Sequence, residues 1–70
     1  MIERIIVKSN QFDSDVIYEL WVDHNNNYYY WVDVSYNNHV LPELFDNVNT
    51  AKRWLKRMCD DIGALYTERS

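Results

Sequence analysis

Three consecutive stretches decide how this chain folds: VIYELWVD at residues 16–23, HNNN at 24–27 and YYYWVDVS at 28–35. The first and third are rich in β-branched and aromatic residues, which suit a pleated, half-buried surface, so each predicts a strand. Between them, Asn25, Asn26 and Asn27 tolerate the left-handed backbone that a tight connection needs, the role Gly usually fills. The expectation is a β-hairpin. Ile2 to Lys8, also rich in β-branched residues, predicts a further strand, joined to the hairpin by a polar linker, Ser9 to Asp15, that carries a lone Phe12. After the hairpin, Tyr36 to His39 with its Asn37-Asn38 pair reads as another turn. Val40-Leu41 and Leu44-Phe45, interrupted by Pro42, suit a short fourth strand at a sheet edge, where proline is tolerated.

A helix should follow. Asp46 is the expected N-cap, with Asn49 as the alternative, because either side chain can accept from the free amides of a first turn. Val48, Ala51, Leu55, Met58 and Ile62 recur at helical spacing and form one apolar stripe, and Gly63 is placed to end the helix. Lys52, Arg53, Lys56 and Arg57 fall nearly opposite that stripe, with Trp54 and Cys59 on its flanks, so the basic cluster reads as a solvent face. It is partly paired, Lys56 with Asp60 and Arg57 with Asp61. Ala64 to Ser70 is either a tail or a short extra strand. The fold class is therefore α+β: one domain over residues 1–70, with a three- to four-stranded antiparallel sheet packed on one face by a single C-terminal helix, βββα or ββββα.

Side chains alternate along a strand. The expected core set is Val16, Tyr18, Leu20 and Val22 on one strand and Tyr28, Tyr30, Val32 and Val34 on the next. One helix covers one face only, so the complementary set should meet water or a partner. That set combines Trp21, Tyr29 and Trp31 with Glu19, Asp23 and Asp33. Pairing Trp21 with Trp31 would place Glu19 against Asp33, a like-charge pair, whereas pairing Trp21 with Tyr29 avoids it and is the preferred register.

Charge is sorted along the chain. From Ser9 to Ala51 there are seven carboxylates (Asp13, Asp15, Glu19, Asp23, Asp33, Glu43, Asp46) and no Lys or Arg, within a net charge of −4. Such sorting produces a broad negative surface, which governs partner choice and association rate more than fold. With 47% hydrophobic residues the chain is too apolar to be disordered. A chain this short buries only about 60% of its unfolded surface, which leaves a thin core. A single cysteine, Cys59, excludes an internal disulfide and fits a reducing cytoplasm. The N-terminal apolar run is short for a signal peptide, and no segment approaches the roughly 20 apolar residues of a membrane span.

Catalytic chemistry has poor candidates. His24 and His39 fall in turns without partners at a recognisable spacing, and two histidines with one distant cysteine do not make a zinc site. Cys59, beside Asp60 and Asp61, has the wrong setting for a reactive thiol. The only glycine, Gly63, excludes a glycine-rich phosphate loop. The expectation is a non-enzyme without metal or cofactor.

Over residues 14–58, three strands followed by one helix resemble the AP2-type DNA-binding domain and the arm-binding domains of phage integrases. In those domains the open sheet face is basic and enters the major groove. Here it carries Glu19, Asp23 and Asp33, which reverses the inference. In size, charge and architecture the whole chain looks like the small phage-encoded inhibitors of bacterial defence, anti-CRISPR proteins above all. The asparagine- and tyrosine-rich composition, which suggests AT-rich coding DNA, agrees with such a source. That resemblance implies a basic protein partner, a nuclease or CRISPR effector complex in a bacterial cytoplasm, whose nucleic-acid-binding surface is blocked. Glu19, Asp23 and Asp33, with Asp13, Asp15, Glu43 and Asp46 around them, would pair with its Arg and Lys, while Trp21, Tyr29 and Trp31 fill apolar gaps. The alternatives are a homodimeric module that buries Trp21 and Trp31, and DNA binding through Lys52, Arg53, Lys56 and Arg57.

Overall fold

The computed structural model describes residues 1–11 and 13–69, so Phe12 and Ser70 lie outside the described residues. Strands β1 (Glu3–Lys8), β2 (Val16–Asp23), β3 (Tyr28–Asp33) and β4 (His39–Val40) precede helix α1 (Val48–Asp61), and β5 (Leu65–Arg69) follows it. All pairings are antiparallel, in the order β4-β3-β2-β1-β5, with α1 against one face. The fold class is α+β, as the patterning predicts. The sheet is wider than expected, however, with five strands, and the helix is followed by one of them. Leu65–Arg69 becomes a strand by pairing with β1, Val7 facing Tyr66 and Ile5 facing Glu68. The fourth strand is only His39–Val40, supplemented by an isolated bridge between Tyr29 and Phe45.

The hairpin forms where expected but with the other parity. Asp23 faces Tyr28 across a four-residue connection, so Trp21 faces Tyr30 and Leu20 faces Trp31. The Asn27 amide donates to the Asp23 carbonyl at 2.8 Å, and Asn27 adopts φ 57. The expected register, Trp21 with Tyr29, differs by one residue, and a one-residue shift carries every side chain of β3 to the opposite face. Tyr29, Trp31 and Asp33 therefore lie on the helix side, and Tyr28, Tyr30 and Val32 on the open side. The β2 assignment holds, with Leu20 fully buried.

Trp31 is the centre of the core and has no exposed surface. Its ring meets Tyr18 edge-on at 6.5 Å, and its indole N–H donates to the Ala51 carbonyl in the first turns of α1 at 3.0 Å. Burying a side chain of this size is worth about 5 kcal/mol by area, and the hydrogen bond removes the cost of a buried donor. Ala51, Leu55 and Cys59 form the buried helix stripe, and Ile62, expected in it, is 40% exposed. Asn47, rather than Asp46 or Asn49, caps the helix: its side chain accepts from the Thr50 amide at 2.8 Å. Gly63, at φ 69, ends it, and the Ala64 amide donates to the Cys59 carbonyl.

Truncation of the two sheet tryptophans tests this parity. Trp31→Ala should cost about 3–5 kcal/mol, enough to unfold most of a domain this small. Trp21→Ala should cost less, about 2–3 kcal/mol, since that residue is 38% exposed, although its hydrogen bond to the buried Glu19 is lost with it. Urea unfolding followed by circular dichroism separates them, and equal losses would contradict the assignment of faces.

Candidate functional site: the open face of the sheet

The helix leaves the second face of the sheet uncovered. Its occupants follow from the register: Arg4, Ile6 and Lys8 on β1, Ile17, Glu19, Trp21 and Asp23 on β2, Tyr28, Tyr30 and Val32 on β3, Val40 on β4, and Leu65, Thr67 and Arg69 on β5. Trp21 is 38% exposed and Val40 54%. Trp21 stands on the middle strand directly across from Tyr30, and the Tyr30 ring meets Tyr28 edge-on at 6.1 Å. This aromatic cluster differs from the expected one. Trp31 is in the core, Tyr29 packs on the helix side, and Tyr28 and Tyr30, expected inside, take their places; Val32 points to the open side but is buried, as expected of it.

The carboxylates of the expected site are consumed by the fold. Glu19 is buried, and both its oxygens are occupied: Oε2 accepts from Arg4 Nε at 3.2 Å and Nη2 at 2.6 Å, and Oε1 accepts from Trp21 Nε1 at 3.1 Å. Arg4 and Glu19 are direct cross-strand partners. A buried carboxylate is costly unless paired and hydrogen-bonded in this way, so Glu19 neutralises Arg4 and orients the Trp21 ring. Asp23 folds back on the hairpin, accepting from the amides of Asn25 and Asn26 and from the Asn26 side chain. The Asn26 side chain, with the backbone amides and the Tyr28 hydroxyl adding, holds its carboxyl below the ordinary range against an opposing desolvation. Asp33 accepts from the amide and hydroxyl of Ser35. Asp15 stands 3.8 Å from Lys8. Asp13, Glu43 and Asp46 are exposed and, among the described residues, outside every ion pair. The open face is consequently an aromatic surface at its centre, with the exposed cations Arg4 and Lys8 each beside a carboxylate, and with free carboxylates elsewhere on the molecule.

The basic helix face is also altered. Lys52 turns to the sheet edge, 3.6 Å from Glu3 and 2.6 Å from Glu68, and so ties α1 to β1 and β5. The Glu68 carboxylate raises the Lys52 pKa, and Lys52 in turn lowers that of Glu68. Arg53, Lys56 and Arg57 remain exposed and share an open groove with Thr50, Trp54, Asp60 and Asp61. The expected Lys56–Asp60 and Arg57–Asp61 ion pairs are absent among the described residues. Two carboxylates beside three cations still weaken any phosphate-binding surface there.

Cys59 is buried, and burial, helped by Asp60, pushes its thiol up, away from reactivity. No cluster of three or more metal-ligating side chains occurs among the described residues, and no described helix is long and apolar enough to cross a membrane. Comparison with family models, curated proteins and solved structures yields no match. The geometry of the open face therefore carries the functional reading.

The structural role of Asp23 has a pH signature. Its carboxyl is lowered by folding, so the stability it contributes is present above the unfolded value, near pH 4, and disappears as pH falls through the folded value. Asp23→Asn should therefore be less stable than the parent in urea at pH 7, and the gap should close toward pH 2. A gap that stays constant over that range would show that Asp23 does not hold the hairpin through its charge.

Proposed function

We propose that this chain is a non-catalytic protein-binding inhibitor that docks the open face of its sheet on a basic, nucleic-acid-handling protein and blocks that protein's nucleic-acid site. The observation that carries this reading is the uncovered face itself, with Trp21 exposed on the middle strand beside Tyr28, Tyr30 and Val40. Aromatic side chains at the centre of a patch, ringed by polar groups, have the composition of a binding hot spot. The net charge of −4 supports a basic target, since free carboxylates such as Asp13, Glu43 and Asp46 accelerate encounter with a positive surface. A bacterial cytoplasm and the anti-CRISPR-like class belong to the same proposal and rest on the resemblance in size, charge and architecture.

The physical division of labour differs from a row of phosphate-mimicking carboxylates. Glu19 and Asp23 have their oxygens engaged within the chain. Affinity would come from the aromatic centre, and the exposed acids would steer. Occlusion then needs only bulk, because a folded domain seated beside a nucleic-acid channel excludes the strand sterically.

Immobilised protein challenged with nuclease-treated bacterial lysate tests this. It should retain a basic nucleic-acid-handling protein that added nucleic acid displaces and that elutes as salt rises. Trp21→Ala with Tyr30→Ala should weaken retention by roughly 30-fold, the equivalent of about 2 kcal/mol. Arg53→Glu with Arg57→Glu should leave retention intact. Loss of retention in the helix variant, with none in the face variant, would overturn the proposal in favour of the helix.

A further inference from the structure

The carboxylates that make the sheet look unsuited to nucleic acid in the sequence are not displayed on its open face. Asp33 lies on the helix side, Glu19 is buried and bonded to Arg4 and Trp21, and Asp23 is folded into the hairpin. Rings and cations are displayed instead. Trp21 is 38% exposed and stands across from Tyr30, and Tyr28, two positions along β3 and edge-on to Tyr30, is part-exposed as well. On the neighbouring strand β1 the side chains of Arg4 and Lys8 are 47% and 57% exposed. We infer that this face is also a binding site for single-stranded nucleic acid, with bases stacked on Trp21, Tyr28 and Tyr30 and phosphates held by Arg4 and Lys8.

Every base has a π face, so exposed rings bind unpaired bases without reading sequence, each stacked base tightening binding roughly 5- to 150-fold. A duplex keeps those faces inside its own stack. Trp21 is prepared for such a contact: its Nε1 donates to Glu19 Oε1 at 3.1 Å, so the ring is held and its one donor is satisfied before a base covers it. Arg4 engages Glu19 through Nε and Nη2, and among the described residues its other N–H groups have no partner, which leaves them for a phosphate. Lys8 has only the exposed Asp15 at 3.8 Å, a loose pair that a phosphate oxygen replaces. Arg4 and Lys8 share one face of β1 about 13 Å apart by strand rise, so the contact spans a few nucleotides. The net charge of −4 opposes this ligand, but stacking does not depend on it, and two phosphate contacts suffice for a modest affinity. The inference needs no second protein and stands apart from the docking proposed above; one face serves both ligands, so a bound strand excludes the target.

Purified protein freed of nucleic acid is titrated into fluorescent oligo(dT) and oligo(U) of about 12 nucleotides, and into a duplex of that length, with anisotropy as the readout. The two oligonucleotides separate DNA from RNA. The expected dissociation constant for a single strand is about 10–100 μM, at least tenfold tighter than for the duplex. Two phosphate contacts give a log–log salt slope of about −1.4, so going from about 50 mM to about 500 mM salt weakens binding roughly 25-fold. Tyr28→Ala with Tyr30→Ala should weaken binding at least tenfold, and Lys8→Gln roughly threefold with a slope shallower by about 0.7. Arg53→Gln with Arg57→Gln should change neither. In heteronuclear NMR of the unsubstituted chain, oligo(dT) should shift the Trp21 indole N–H signal and leave those of Trp31 and Trp54 in place. Absence of binding to both single strands, a duplex bound as tightly, or a shift confined to Trp54 would overturn the inference and leave protein docking untouched. Failure of target capture from lysate, with single strands still bound at Trp21, would instead remove the inhibitor reading and leave this one standing.

Discussion

Trp31 wedged between sheet and helix is the contact on which the rest of the molecule depends. Its ring fills the space between Leu20, Tyr18 and Ala51, and its indole N–H is tied to the Ala51 carbonyl. Only a small residue at position 51 lets the helix approach closely enough for that hydrogen bond. Placing Trp31 inward fixes the parity of β3, and through the β2–β3 register it fixes which aromatics face outward. The identity of the open face is thus set by a residue that is not on it.

A second constraint acts on the open side. Glu19 occupies a buried position in the middle of the sheet and is held there by Arg4 and Trp21. The pairing buries the Glu19 carboxylate and neutralises Arg4, whose side chain stays about half exposed. It also fixes the one exposed tryptophan of the sheet in a single orientation, which lowers the entropy lost when a partner packs against it. The acidic character of the chain therefore resides at the loops and helix end, while the centre of the sheet face is left aromatic. Steering and contact are separated in space.

Much of the architecture was legible from pattern alone: the hairpin at the asparagine triplet, the helix with its apolar stripe and the stop at Gly63. The parity of β3 was not. In YYYWVD both alternating sets contain aromatics, so periodicity offers two equally apolar faces, and only the even length of the hairpin connection separates them. The Arg4–Glu19 pair joins residues fifteen positions apart in different strands, which no local spacing reveals. That pair removes Glu19 from the set of available carboxylates, and the hairpin and Ser35 similarly claim Asp23 and Asp33. Lys52 reads as solvent-facing on a helical wheel, yet β5, undecided from its short alternation, brings Glu68 to it. Of the ten residues expected at the partner surface, Trp21 is the one that the structure places exposed at the centre of the open face.

Exchange of the three indole N–H protons in deuterated water, followed by heteronuclear NMR, tests the assignment of faces most directly. With Trp31 sealed in the core and bonded to Ala51, its indole signal should persist long after those of Trp21 and Trp54 have vanished. A Trp31 signal that disappears as fast as that of Trp21 would contradict the core assignment and, with it, the open face as described.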